Sequence, residues 1–251
     1  MNLKLKKINI LNTSIDNLTM VETLQCISES IENERQLHHV VVNAGKIVLM
    51  QTDEVLRKSV NESDIVNADG QAVVWASRFL GKPLKERVAG IDLMANLVEM
   101  AYQKNYKIFL FGAKEEVLKT VVNQYSEKYS PDLIAGYRNG YFASEEEVDI
   151  ANHIADSGAQ MLFVAITSPK KENFLYNHRE TLKNINLIMG VGGSFDVFAG
   201  KTKRAPVWMQ KAGLEWFYRF LQEPKRMWKR YLVGNTKFIY LVLKEKFSKE
   251  K

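Results

Sequence analysis

Short apolar runs rich in β-branched and aromatic residues recur along the first 190 positions, and each gives way to a polar or glycine-bearing turn and then to helical spacing. Lys7 to Leu11 predicts a first strand, and the capping box Thr19-Met20-Val21-Glu22 opens a helix through about Glu32. The run His39-Val40-Val41-Val42 predicts a strand ending in Asn43-Ala44-Gly45, with His38 and His39 at its opposite end. Helical periodicity from Ile47 to Val60 leads to a short buried strand, Ile65-Val66, which ends in Asn67-Ala68-Asp69-Gly70. Helices follow over Gln71 to Phe79, stopped by Gly81-Lys82-Pro83, and over Leu93 to Gln103. Lys107 to Phe111 is a strong strand that runs through Gly112-Ala113 into a helix from Glu115 to Tyr129. Leu133 to Tyr137 gives another strand, Asn139-Gly140-Tyr141-Phe142 a turn, and Ser144-Glu145-Glu146-Glu147 a helix cap. Met161 to Ile166 ends in Thr167-Ser168-Pro169-Lys170-Lys171-Glu172, with Pro169 suited to the first turn of a helix. Leu187 to Met189 leads into the glycine-rich turn Gly190-Val191-Gly192-Gly193-Ser194-Phe195-Asp196. Strands alternating with helices predict an α/β fold: a doubly wound, mostly parallel sheet with helices on both faces.

A parallel sheet gathers the carboxyl ends of its strands along one edge, where ligands bind. That edge would carry Asn43, Asp69 with Gly70, Thr167 to Glu172, and the Gly192 to Asp196 turn. Asp69, at a strand's end, is the first candidate for a general base. Arg87, permanently charged and fork-shaped, is the candidate partner for a phosphate. Gly112 lets a ligand approach backbone N–H groups or serves helix-to-strand packing. Taken singly, these glycines and carboxylates also fit ordinary turns, and Arg87 a surface ion pair. The full G-x-G-x-x-G pattern is missing, so a dinucleotide-binding oxidoreductase lacks its fingerprint.

Composition narrows the classes further. The chain has 251 residues, 46% hydrophobic and 25% charged, as in a folded protein. Its one cysteine, Cys26, sits among apolar helical positions, which excludes a disulfide framework and predicts a buried structural thiol in a reducing cytoplasm. The amino terminus lacks the apolar core of a signal peptide, and no window approaches the roughly 20 apolar residues that span a bilayer. His38 and His39 have no other ligand type at metal-binding spacing.

Charge divides the chain unevenly. Residues 201–251 hold 14 Lys and Arg against 4 Glu, a net of +10; the whole chain carries +6, which leaves residues 1–200 at −4. Three of the four tryptophans also lie in that tail. The shift predicts an α/β catalytic body over 1–200 and a basic, amphipathic, membrane-associating appendage over 201–251. Pro224 separates a segment ending at Gln222 from a helix whose Pro224, Met227, Trp228, Tyr231 and Leu232 share one face, with Arg226, Lys229 and Arg230 away from it. Basic segments with tryptophan are attracted to anionic membrane surfaces, and Arg219, Arg226, Arg230 and Trp228 are the candidate contacts. Docking onto the body is the alternative use of this face. A nucleic-acid-binding protein would use the same tail, but it would leave Asp69 and Arg87 without a purpose, so no nucleic-acid partner is expected.

Together the motifs resemble the WecG/TagA/CpsF glycosyltransferases. The resemblance rests on Asn43, Asp69-Gly70, Glu86-Arg87-Val88-Ala89-Gly90 with Asp92-Leu93, Gly140-Tyr141-Phe142, Pro169-Lys170 with Glu172, Gly190-Val191-Gly192-Gly193 with Phe195-Asp196, Lys203-Arg204-Ala205-Pro206, and Leu214-Glu215-Trp216 with Tyr218-Arg219 and Glu223-Pro224. It runs from about residue 40 to about residue 232. It implies an inverting hexosyltransferase, needing neither metal nor other cofactor, that moves a sugar from a UDP-sugar to a lipid-diphosphate-linked sugar acceptor. The lipid is undecaprenyl, the location peripheral on the inner face of a bacterial cytoplasmic membrane, and the product a teichoic acid, capsule or other surface polysaccharide; a homo-oligomer is allowed.

Under the resemblance Asp69 is the base, Arg87 stabilises the departing diphosphate and Asn43 orients a substrate. Tyr141, the Gly112-Ala113 turn and Asp196 grip uridine and ribose. Gly70, Asp92, Thr167, Pro169, Lys171, Glu172, Gly192 and Gly193 complete the substrate-binding set. Where the family commonly reads Pro-Lys-Gln-Glu, this chain reads Pro169-Lys170-Lys171-Glu172. Lys171 is therefore expected either to bind phosphate or to select an acidic sugar such as a uronic acid.

Overall fold

A computed structural model describes residues 6–168, 170–228 and 232–248, and of Arg226 the backbone only. Pro169, Lys229, Arg230, Tyr231 and the side chain of Arg226 lie outside the described residues.

The chain opens with an antiparallel hairpin of β1 (Lys7–Ile10) and β2 (Thr13–Asp16), paired from Lys7 with Asp16 to Ile10 with Thr13. The loop residues Leu11 and Asn12 both have positive φ, 50° and 59°, the backbone that a two-residue hairpin with native twist demands. Asn tolerates that conformation and Leu does so at a cost. The strain is held by hydrogen bonds: Leu11 N–H donates to Glu245 Oε2 at 2.7 Å, and Gln51 Nε2 donates to the Leu11 carbonyl at 2.9 Å. β2 is not among the strands expected from the sequence, because its four residues, Thr-Ser-Ile-Asp, carry almost no apolar signal.

A six-stranded parallel sheet follows, built from β3 (Leu37–Val42), β4 (Ile65–Ala68), β5 (Ile108–Gly112), β6 (Ile134–Arg138), β7 (Met161–Ala165) and β8 (Leu187–Gly190) in the order β4-β3-β8-β7-β5-β6. Helices flank it, as the alternation predicted. Strands β5, β7 and β8 are buried along almost their whole length, which is why they read as unbroken apolar runs. Their registers are in step, Phe109 beside Leu162 and Phe163 beside Met189.

Three local expectations are corrected. The helix expected over 47–60 is two, Ala44–Met50 and Glu54–Asn61, because the Asp53 carboxylate accepts the Leu56 N–H at 2.9 Å and starts a new helix. His38 and His39 lie within β3, and His39 is buried there. Cys26 is only partly buried.

Contacts gather into two compact units. The first takes the described residues up to Met20, Val41–Ala89 and those from Lys203 onward; the second takes Val21–Val40 and Gly90–Thr202. The basic tail is therefore grouped with the N-terminal hairpin and with the β4 region, so the composition step near residue 200 is not matched by a separate compact tail. In the first unit the helix Gly234–Ser248 packs on Ala44–Met50, burying Phe238 and Val242. Its Glu245 accepts from Leu11 and pairs with Lys82 at 3.2 Å. In the second unit Phe111 packs its ring on Phe142 and Phe174, with centroids 5.6 and 5.0 Å away.

Candidate active site

In the first unit the ends of β3 and β4 bring the proposed chemistry together. Asn43 caps the helix Ala44–Met50, its Oδ1 accepting the Lys46 N–H at 3.1 Å, which leaves its amide hydrogens for another acceptor. Asp69 N–H donates to the Val42 carbonyl at 2.9 Å, so Asp69 and Asn43 stand at adjacent strand ends. The approach is close at Gly70, where a Cβ would lie 3.1 Å from Asn43 Cβ. The Glu86 to Ala89 segment is tied to β4 by Val88 N–H on the Ala68 carbonyl at 3.0 Å, with Val88 and Ala89 buried. Arg87 is thereby delivered to the same end.

Arg87 is held on several sides. Its Nε–H donates to the Asp69 carbonyl at 2.8 Å, its Nη1 to the Gln210 carbonyl at 3.5 Å, and its Nη2 to Glu215 Oε2 at 2.6 Å. Glu215 Oε1 in turn accepts from Arg204 Nε at 3.1 Å. Arg204 and Glu215 enter the sequence reading only within motifs that carry the family resemblance, with no role assigned, and Gln210 does not enter it. Besides those motifs, the signal for Glu215 is that it is one of only four acidic residues in a tail of 14 cations.

In the second unit the candidates form another group. Gly112 has φ +126°, and a Cβ on it would fall 2.5 Å from the carbonyl carbon and oxygen of Ala165. Close strand packing therefore requires this glycine whatever a ligand does. Ala113 follows with φ 57°, its N–H on the Ala165 carbonyl and its own carbonyl accepting from Gly140 N–H. The next helix, Glu115–Lys128, carries Glu115 and Glu116 in its first turn. Both carboxylates are engaged, Glu115 with Lys119 at 3.3 Å and with Asn139 Nδ2 at 2.8 Å, and Glu116 with Lys201. Tyr141 is exposed beside it, its N–H bound to Asn139 Oδ1 at 2.9 Å.

Both lysines after β7 are engaged. Lys170 Nζ lies 3.5 Å over the Phe142 ring and donates to the Phe142 carbonyl. Lys171 is buried, with Nζ 3.1 Å from Glu172 Oε1, an oxygen that also accepts from Ser168 Oγ at 2.8 Å. The Lys171 stem runs against Gly190, where a Cβ would meet Nζ at 2.9 Å. Its charge is thus compensated within the protein. Thr167 is exposed and its carbonyl accepts the Lys171 N–H. Gly192 is exposed with φ +54°, Gly193 caps the short helix Ser194–Phe198, and Asp196 lies in that helix. Asp92 occupies the first turn of Gly90–Gln103.

In the tail Trp228 is exposed, whereas Arg219 is half-buried and its Nε has no hydrogen-bond acceptor among the described residues. Among the described residues no group of three or more His, Cys, Asp or Glu side chains could hold a metal ion, and no helix is long and apolar enough to cross a membrane.

A parallel α/β sheet with carboxylate, arginine and asparagine at its strand ends is the architecture in which small polar ligands are held beyond those ends. The family model of the glycosyl transferase WecG/TagA/CpsF family matches residues 8–251, and the chain belongs to that family. It is 41% identical over 222 residues to an N-acetylglucosaminyldiphosphoundecaprenol N-acetyl-beta-D-mannosaminyltransferase of Bacillus subtilis, covering 85% of each chain. Proteins of the same name from Bacillus spizizenii and Staphylococcus aureus are 38% and 32% identical, over 76% and 96% of this chain and 72% and 93% of theirs.

Proposed function

We propose that this protein moves an N-acetylmannosamine-like sugar, with inversion, from a UDP-sugar to an undecaprenyl-diphosphate-linked N-acetylglucosamine in building a cell-surface polysaccharide. The names of the relatives support the acceptor and the sugar. The observation that carries the reaction is the juxtaposition of Asp69 with Arg87, whose guanidinium is anchored on the Asp69 carbonyl.

In this reading the acceptor hydroxyl oxygen bonds to the anomeric carbon as the bond from that carbon to the UDP oxygen breaks. The hydroxyl proton passes to the Asp69 carboxylate, and the electron pair of the broken bond leaves with UDP. Arg87 meets the charge that builds on the diphosphate, so the transfer needs no metal. Asn43 offers its amide hydrogens to a sugar hydroxyl. Gly112, Ala113, Tyr141 and Asp196 are assigned to uridine and ribose on the family resemblance. The Lys171–Glu172 pair favours a neutral sugar over a uronic acid, because Lys171 already has its counter-ion. The basic, tryptophan-bearing tail holds the enzyme peripherally at the anionic leaflet where its lipid acceptor resides.

The test is transfer from UDP-N-acetylmannosamine to N-acetylglucosaminyl-diphosphoundecaprenol, with chelator present. Parent protein should form the disaccharide lipid, and Asp69→Asn should bind UDP as before but turn over roughly 100-fold or more slowly. Full turnover by the variant would remove Asp69 from the role of base, and strict dependence on an added divalent ion would overturn the metal-independent reading.

A further inference from the structure

Glu215 opens the helix Glu215–Gln222 and binds two arginines at once, one through each carboxylate oxygen. All three side chains are largely withdrawn from water, 16% exposed for Arg87, 25% for Arg204 and 28% for Glu215. Two guanidinium groups brought this close repel each other, and the shared carboxylate offsets that repulsion where solvent screening is reduced. It also fixes an orientation. A guanidinium has five N–H groups, and Arg87 commits three of them to Asp69, Gln210 and Glu215. Two remain for a ligand, one on each terminal nitrogen. A cation oriented before the reaction stabilises a developing charge without reorganising, which is where such groups contribute most.

We propose that Glu215 is a positioning residue for the transfer, locking Arg87 against the Asp69 backbone, and that it draws Arg204 into the same seat as a second cation for the diphosphate. This deepens the reading of Arg87 given above and rests on it. Arg87 and Arg204 thus present two guanidinium groups on one carboxylate, an arrangement suited to the oxygens of a diphosphate. Residues 203–215 thereby belong to the reaction site, in addition to any part they have at a membrane.

The full chain is tested as Glu215→Gln, Glu215→Asp and Arg204→Gln, by initial rates with the two substrates named above, by calorimetric binding of inorganic pyrophosphate and of UDP, and by thermal melting. Glu215→Gln should lower kcat about tenfold or more with a much smaller change in donor KM, the split expected when an orienting contact is lost. Melting should shift by only a few degrees, and Glu215→Asp should recover part of the rate. Arg204→Gln should weaken pyrophosphate binding about tenfold, the loss of one charge-assisted contact. The proposal is overturned if Glu215→Gln binds pyrophosphate more tightly and turns over as fast as the parent, since Glu215 would then be an obstacle in the seat. It is also overturned if rate and melting temperature fall together with no recovery in Glu215→Asp, or if Arg204→Gln binds pyrophosphate normally. A parent protein that binds pyrophosphate but transfers no sugar would sink the underlying reading instead, while the binding comparison would still decide the seat.

Discussion

Asp16 closes β2 with its carboxylate almost wholly buried. Oδ2 accepts the Val66 N–H at 2.9 Å and lies 3.7 Å from Lys7 Nζ, while Oδ1 has no hydrogen-bond partner among the described residues. Burial pushes this carboxyl above its ordinary value, outweighing the pull of the Val66 hydrogen bond and of Lys7. A raised carboxyl adds stability below its unfolded-state value, and that stability is lost as pH rises through the folded-state value. Asp16→Asn keeps a carbonyl acceptor for Val66 and has no charge to desolvate. It should therefore be more stable than the parent near neutral pH, by urea denaturation, and the advantage should shrink as pH falls towards the ordinary carboxylate range. An advantage that grows in acid would mean that Lys7 outweighs burial. Several candidates were legible at this scale because their chemistry is local: Asp69 and Arg87 are a carboxylate and a cation beside a strand end. The pairing of Lys171 was not legible, since its partner Glu172 is adjacent in sequence but the ion pair depends on the side chain folding back against Gly190.

Among the elements, the turn from β5 into Glu115–Lys128 separates two duties that glycine performs. At Gly112 both the positive φ and the Ala165 backbone forbid a side chain; at Gly192 the φ is positive but nothing lies within 4 Å of a Cβ. Gly112→Ala should therefore cost on the order of 3 kcal/mol or abolish folding, combining backbone strain with a clash against main-chain atoms. Gly192→Ala should cost only about 1 kcal/mol, the left-handed penalty alone. Equal losses in the two variants, measured by denaturant unfolding, would show that the contact with Ala165 is relieved by a shift of β7. The elements themselves were legible wherever a strand was buried on both faces, as with β5, β7 and β8. They were less so where polar residues pair with distant backbone, as Asp16 does with Val66, or where one capping aspartate splits a helix.

For the whole molecule, on the function proposed above, the question is what holds it at a lipid-linked acceptor. The tail exposes Val207, Trp208, Leu221, Trp228, Ile239, Tyr240 and Phe247 among its lysines and arginines. Each Lys or Arg near an anionic leaflet contributes about 1 kcal/mol, fading beyond a Debye length. The protein should sediment with phosphatidylserine-containing liposomes at low salt and be released at high salt. Arg226→Glu with Arg230→Glu should weaken this attachment and slow transfer to the undecaprenyl acceptor more than to a short-chain soluble analogue. Arg219 is left out of that variant because it is half-buried, so reversing its charge would disturb packing as well. Unaltered liposome binding by the double variant would assign those arginines another duty.

The sequence alone determined the class of fold, since periodicity and buried runs are written locally in the side chains. It also marked the polar strand ends and the basic tail, because residue type and net charge do not depend on tertiary contacts. Only the tertiary structure decided what those groups touch. Arg87 and Glu215 are 128 positions apart, and nothing in either neighbourhood announces the pairing. The tail reads as a separate appendage from its charge, yet Glu245 reaches Leu11 and Lys82, so those residues join the compact unit that holds Asn43, Asp69 and Arg87. Composition records which charges a segment carries; which partners compensate them follows from chain topology.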